Sequence, residues 1–516
     1  MAGWTPARPA RVTSGWRDDH QDPAVPATTQ PERSRPPVTV PTRHRRRLTS
    51  PQRVLAGFVA LALAIGVVTF VGVSATPSYG SLPPWQASDV ADLRTLPTAT
   101  GWQTDLARDV LPGVPPRCAT FGASVSSGRD VILTAQSPPL GSSTSCSSAL
   151  TEQVGSTVAL LDLDTGRILW TSNLATSFPA RVSPIDIAET FLVGSAGRAL
   201  VQFVVDGQYT LASLSLASGH VLSSTSLSSD EIGIAPEIMG SLVLYGASTS
   251  REGSTSWTLA DARTIDRPIW TDEIDDSAPP ILTAHAVFAT VSGRSIRADG
   301  TTGRVTSLGN GKVDLTSVLP EANALYAVSE VDGGIVLTAW SDAGRRLWSR
   351  SGVGTLSGVS RSCVIASLPG TTTGTCLDRT TGATRWRAPL GSGALAYGMI
   401  GQTNDDVAVY TDNATQTQID VLDGATGRLR YSLTPPPSTY VAAVSRTVGY
   451  LVGASQTGTP TDIEAFDTAS GRVLWNRLSK RPGDTQLWGG HLVTVTTRGV
   501  ATELTNTPGF VLRDQG

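Results

Sequence analysis

One short pattern returns along the chain at near-constant spacing, and it restricts the possible folds more than any other feature. An apolar strand runs into a tight turn, and an aromatic residue follows four positions after the turn residue. The pattern places Trp170, Trp270, Trp348, Trp386, Tyr431 and Trp475 after turns at Gly166, Asp266, Gly344, Gly382, Gly427 and Gly471. Two weaker copies, with turns at Gly219 and Gly303, put Ser223 and Ser307 in the aromatic's place. Successive turn residues are 53, 47, 37, 41, 38, 45 and 44 apart. That period suits one propeller blade and is too long for leucine-rich or tetratricopeptide units. Each unit holds three or four short strands, such as "RDVILTA", "TVALLDL" and "RILWTSNL", joined by glycine turns, which is the make-up of a blade. The expectation is an all-β protein, a β-propeller of about eight four-stranded blades, with seven as the alternative.

The chemistry of the turn explains its residues. In Asp-x-x-Thr-Gly the carboxylate accepts from nearby backbone N–H groups while glycine adopts the positive φ of the reversal. The aromatic then points at the neighbouring blade, where a buried Trp brings on the order of 200 Å² of contact. The six aromatics are therefore read as structural docking residues and not as a ligand cage. Closing a propeller pairs strands from both chain ends and so removes the exposed edge. Residues from about Leu93 to Leu106 are expected to pair with the strands of His491–Leu504.

Ahead of the repeats, Val54–Ala75 is 22 residues without a charge, preceded by Arg43, Arg45, Arg46, Arg47 and Arg53. A helix of that length reaches roughly 33 Å and spans a bilayer core. Positive residues stay on the cytoplasmic side. The expected order is a basic, Pro-rich disordered cytoplasmic tail (1–53), a transmembrane helix (54–75), a linker (76–92) and an extracytoplasmic propeller (93–516). The localisation is thus the cell membrane, by a single pass. A cleaved signal peptide is the alternative: "Val73-Ser74-Ala75" resembles a cleavage site, although the apolar run is long for one.

Charge divides along the same line. The first 53 residues carry ten Arg and four acids, and the remainder is net −9. Nucleic-acid affinity comes largely from Lys and Arg on phosphate, so an acidic main domain excludes a nucleic-acid partner. All four cysteines fall outside the predicted span. Cys363 and Cys376 flank a Pro-Gly turn between two β-rich stretches, and Cys118 and Cys146 flank the strand "RDVILTAQ" and a Ser/Pro-rich loop. An even count outside the membrane, without Cys-x-x-Cys spacing, favours two disulfides over a metal site.

"Ala465-x-Asp467-x-x-Ser470-Gly471-Arg472-x-x-Trp475" resembles the tryptophan-docking motif of the pyrroloquinoline-quinone (PQQ)-like propeller repeat. That repeat is found in quinoprotein alcohol dehydrogenases and in the propeller lipoprotein of the β-barrel assembly machinery. Asp378, Thr381, Gly382 and Trp386 match it, as do Asp423, Thr426, Gly427, Arg428 and Tyr431, and Asp162, Thr165, Gly166, Arg167 and Trp170. For catalytic members the resemblance implies PQQ over a central Trp, bound Ca²⁺, a catalytic Asp and often adjacent cysteines. No Cys-Cys pair occurs here, and the motif is shared by members with and without catalysis.

Other chemistries find less support. His220, His285 and His491 lack a zinc spacing, "GNGKV" (309–313) reads as a hairpin turn, and no Gly-x-Ser-x-Gly elbow is present. Asp272, Glu273, Asp275 and Asp276 read as a solvated acidic loop before they read as a Ca²⁺ site. Asn413-Ala414-Thr415 fits a glycosylation acceptor by pattern. The functional expectation is a non-catalytic, membrane-anchored scaffold for other envelope proteins, with no cofactor and no catalytic or metal-binding residues. The alternative is a small-molecule sensor or PQQ-dependent dehydrogenase-like protein that uses PQQ with Ca²⁺.

Overall fold

The computed structural model describes residues 91–506, apart from connecting segments of which 125–128, 137–145, 179–184, 229–235, 249–253, 309–317, 368–372, 390–394, 401–405, 413–416, 454–461 and 479–484 are the longest. The expected tail and apolar span at 54–75 lie outside the described residues, as do the hairpin at 309–313 and Asn413–Thr415. Among the described residues no helix is long and apolar enough to cross a membrane.

Among the described residues, nine four-stranded antiparallel sheets follow one another. Eight are simple meanders: blade 1 (120–173), blade 2 (186–228), blade 3 (237–275), blade 4 (281–307), blade 5 (318–351), blade 6 (355–389), blade 7 (395–433) and blade 8 (439–478). The ninth takes Thr485–Trp488, His491–Val495 and Val500–Thr505 from one end of the chain and Ala99–Asp105 from the other. Its register runs from Ala99 opposite Thr505 to Asp105 opposite Val500. The pairing expected for the chain ends is thus present, and it closes the propeller. The blade number is nine, not eight or seven. The closing sheet lacks the repeated turn, because its third and fourth strands are not consecutive in sequence.

Each blade buries its middle strands on both faces. Thr157–Asp162 is buried at every position but the last, and Val287–Ala289 in blade 4 is buried throughout. The first strands of several neighbouring blades, 1 and 2, 3 and 4, 5 and 6, and 6 and 7, contact one another, which places first strands nearest the axis. The outer strands alternate: in Thr384–Pro389 only Trp386 and Ala388 are buried.

A β-bulge shapes these outer strands. In blades 1, 2, 5, 6, 7 and 8 the register slips by one residue beside the docking position, leaving Leu169, Leu222, Leu347, Arg385, Arg430 or Leu474 without an opposite number. A bulge kinks the strand and re-aims the next side chain, here Trp170, Ser223, Trp348, Trp386, Tyr431 and Trp475. Leu169, Leu222 and Leu347 are 47%, 51% and 40% exposed as a consequence. In blades 6 and 7 the bulged residue is instead an arginine that reaches back to its own turn, Arg385 to Asp378 at 3.0 Å and Arg430 to Asp423 at 2.8 Å.

Two disulfides complete the frame. Cys363–Cys376 joins adjacent strands of blade 6 with Cα atoms 5.2 Å apart. Cys118–Cys146 ties the approach to blade 1 to the start of the helix Ser148–Gly155.

Candidate functional site

The repeated aromatics sit in the seams between blades, and most seams share one construction. At the end of each third strand the chain turns, and in most blades a residue there donates its N–H to the turn between the first two strands of its own blade. The pairs include Leu163 to Arg129 at 2.6 Å, Leu216 to Gly197 at 3.1 Å, Ala262 to Ser241 at 2.8 Å, Asp342 to Asn323 at 3.0 Å and Thr468 to Thr447 at 3.1 Å. The carbonyl of that residue faces the preceding blade and accepts from it. Trp170 Nε1 donates to Leu216 O at 2.7 Å, Trp348 Nε1 to Arg379 O at 2.9 Å, Trp386 Nε1 to Gly424 O at 2.8 Å and the Tyr431 hydroxyl to Thr468 O at 3.0 Å.

Behind the hydrogen bond, the ring lies flat on the turn glycine. A Cβ on Gly219, Gly382 or Gly427 would stand 2.5–2.7 Å from the ring of Trp170, Trp348 or Trp386, and on Gly471 2.2 Å from that of Tyr431. These glycines have φ between 69° and 70°. Glycine is therefore required twice, for its backbone conformation and for the approach of the ring.

The seams contain donors that the aromatic pattern does not reveal. Trp102, on the closing strand, donates to Leu163 O at 2.6 Å and covers Gly166. Ser223 does not take the docking role at the blade 2 seam; Ser213, on the neighbouring strand, donates to Ala262 O at 2.6 Å. Ser307 is likewise bypassed, since the Arg297 Nε donates to Asp342 O while its Cδ stands 2.9 Å from where a Gly344 Cβ would be. Trp270 is buried among Leu244, Leu259 and Leu282, and the blade 4 turn rests on the backbone beside it: a Gly303 Cβ would be 2.0 Å from Ile269 O. Trp475 donates to Leu93 O at 2.7 Å, in the segment that precedes the closing strand.

Four turn carboxylates, Asp299, Asp378, Asp423 and Asp467, are held ionised. Partial desolvation opposes the charge on Asp378, but the carboxylate accepts from the N–H groups of Thr380 and Thr381, both at 3.0 Å, and from both hydroxyls. Together these bonds bring its pKa to about 2. Asp467 falls to about 2, first through Arg94 and then through Ser470 and Ala469, and Asp299 to about 2 through Thr302 and Thr301. Asp423 is lowered by Thr426 and Arg430.

Near the axis, Glu237 on the first strand of blade 3 remains open to water. Desolvation by the surrounding protein raises its pKa, opposed by the hydrogen bond it accepts from the Leu282 backbone of the next blade. The predicted acidic group does not converge: Asp272 and Glu273 lie in succession on an outer strand, so their side chains point to opposite faces. The histidines are separate as well. His285 pairs with Asp342 at 2.6 Å, His491 pairs with Glu503 at 2.7 Å, and His220 is exposed in the blade 2 turn. Among the described residues no three His, Cys, Asp or Glu side chains gather as metal ligands would.

A quinone site of the kind implied by the resemblance places a Trp face at the axis and often adjacent cysteines. On the first strand of blade 9, Trp488 is buried against Trp102, with ring centroids 6.4 Å apart. The four cysteines pair over separations of 28 and 13 residues.

Residues 332–503, from the third strand of blade 5 through blade 9, match the family model described as "Outer membrane protein assembly factor BamB". No curated protein matches the sequence. Among solved structures, BamB from Moraxella catarrhalis is 14% identical over 62% of this chain and 99% of its own, with a TM-score of 0.35. Quinohemoprotein alcohol dehydrogenase from Comamonas testosteroni is 12% identical over 86% and 82%, with a TM-score of 0.38. The chain is a β-propeller, and its residues 332–503 are similar to the BamB family model.

Proposed function

We propose that the protein is a non-catalytic binding scaffold of the cell envelope, held at the membrane by residues 54–75 and carrying its propeller on the extracytoplasmic side. The observation that carries this reading is the seam network. The docking rings are used between blades, so what the propeller offers a partner is a closed, rigid frame bearing surface side chains and connecting loops. The family match over residues 332–503, to an assembly factor by description, supports a partner among envelope proteins. The uncharged 54–75 run and the arginines before it support the anchor and its direction.

The test places photo-reactive residues at exposed outer-strand positions Leu169, Leu347 and Val473 of the full-length protein in native membranes. The expected result is the same protein adduct in repeated preparations, formed from some positions and not others. Uniform or irreproducible adducts would refute the reading. In parallel, PQQ with Ca²⁺ should leave the melting temperature unchanged. A concentration-dependent rise would mark binding to the folded state and favour the dehydrogenase-like alternative.

A further inference from the structure

We propose that the cleft between blades 8 and 9 is a peptide-binding groove, selective for a tightly turned acidic–aliphatic–basic segment, which the chain's own Asp92-Leu93-Arg94 fills in cis. This inference is independent of the partner invoked above.

Every other blade supplies its seam from a covalently continuous turn, but blade 9 has none between its third strand, ending at Thr505, and its fourth, beginning at Ala99. Residues 91–94 stand in for it. Ala91 N donates to Gly490 O at 3.2 Å, the same bond to the first turn that Leu163, Leu216 and Thr468 make in their blades. The Tyr450 hydroxyl donates to Ala91 O and accepts from Leu93 N at 3.1 Å. Trp475 Nε1 donates to Leu93 O at 2.7 Å. The backbone of the segment is thus held by one main-chain bond and by the Tyr450 and Trp475 side chains, while Arg94 N donates to Asp92 O at 3.1 Å and closes a tight turn within it.

Its side chains are read one by one. The Asp92 carboxylate accepts from the Ser445 hydroxyl at 2.5 Å and from the Thr447 hydroxyl, which stands 2.8 and 2.9 Å from its two oxygens. Leu93 is 6% exposed, packed among Ala443, Val448, Tyr450, Ile463, Trp475 and Leu492. Arg94 pairs with Asp467 at 2.7 Å. Asp467 belongs to the blade 8 turn, whose other ligands are its own backbone and Ser470. A backbone-bonded tetrapeptide with three separately recognised side chains describes a ligand in a groove, although here the ligand is tethered.

The test uses the full chain with residues 91–94 replaced by Gly-Ser-Gly-Ser, titrated with fluorescent acetyl-Ala-Asp-Leu-Arg-amide. In the parent the tethered segment is present at an effective concentration in the millimolar range, so the peptide should not bind. The replaced variant should bind it. Peptides with Asp→Ala or Leu→Ala should bind roughly tenfold more weakly or worse, and Tyr450→Phe in the protein should weaken binding to a similar degree. A replaced variant that melts cooperatively but ignores the peptide, or binds all peptides alike, overturns the proposal. Should the replaced variant fail to fold, Leu93→Ala serves in its place. The intact peptide should raise its melting temperature and acetyl-Ala-Ala-Ala-Arg-amide should not; equal responses overturn the proposal.

Discussion

Gly427 and Trp386 provide a direct test of how the seams are held. The Trp386 ring lies where a Gly427 Cβ would be, 2.5 Å from its Cε3, and Gly427 has φ of 70°. Gly427→Ala therefore incurs two costs: about 1–2 kcal/mol for placing an L-residue in the left-handed region, and about 1–3 kcal/mol for forcing the ring off its seat. Trp386→Ala alone removes a side chain that is 6% exposed together with its hydrogen bond to Gly424 O, and should cost about 3–5 kcal/mol. In the Trp386→Ala background the ring is gone, and only the backbone cost of Gly427→Ala remains. The two substitutions should be non-additive, with a coupling of about 1–3 kcal/mol, which a double-mutant cycle measures. Urea unfolding followed by circular dichroism supplies the four free energies. If Gly427→Ala costs the same with and without the tryptophan, the glycine is not there to admit the ring and the account of the seam is wrong.

Arg297→Met keeps the aliphatic stem against Gly344 but removes the donor to Asp342 O; it should cost about 1–3 kcal/mol in the same assay, and Ser307→Ala less than about 0.5 kcal/mol. Asp299, Asp378 and Asp467 titrate at about 2 when folded, below the ordinary value of 3.8. Their contribution is therefore complete above about pH 4 and lost as pH falls through about 2, so the urea midpoint should fall across that window, and less steeply in Asp378→Asn. Reducing the two disulfides should cost about 2–4 kcal/mol each and lower the melting temperature while the far-ultraviolet β spectrum persists. Deleting residues 1–105 removes the outer strand of blade 9 and exposes the edge of Val500–Thr505; it should give aggregation by light scattering, whereas deleting residues 1–90 should not.

Much of the ring was legible in the sequence, because its turns leave a local signature. Asp-x-x-Thr-Gly followed by an aromatic needs only nearby residues to make sense, and Asp378, Thr381, Gly382 and Trp386 can be placed from it without any partner. Blade 9 leaves no such signature. Its fourth strand lies near the start of the propeller, its other three near the end, and the turn that would mark it is supplied by residues 91–94. Counting turns therefore stops one blade short, although pairing the two chain ends was foreseeable from the need to remove an edge. Ser213 and Arg297 were illegible for a different reason. A carbonyl across a seam requires a donor at the right point in space, and a side chain from the next strand meets that need as well as one from the outer strand. The bulge was hidden too: an extra residue in a strand, such as Arg385 between Thr384 and Trp386, has no compositional mark.

Closure explains how the ends are used. Blades 1 to 8 are meanders whose strand pairings are local, and each can form once its own stretch of chain is available. Blade 9 cannot, because closing it takes hydrogen bonds that span 353 to 411 residues, from Asp92–Ser445 to Thr95–Asn506. Loop closure of that length is entropically costly before it is rewarded, and the reward here is concentrated at two places: the Ala99–Asp105 strand on one side, and the 91–94 segment with Tyr450, Trp475 and Asp467 on the other. Both are supplied by one continuous stretch of fifteen residues, Ala91–Asp105. That one stretch completes the seam from blade 8 to blade 9 and, through Trp102 on Leu163, the seam from blade 9 to blade 1. The segment that closes the ring is also the one that joins the propeller to everything before residue 91.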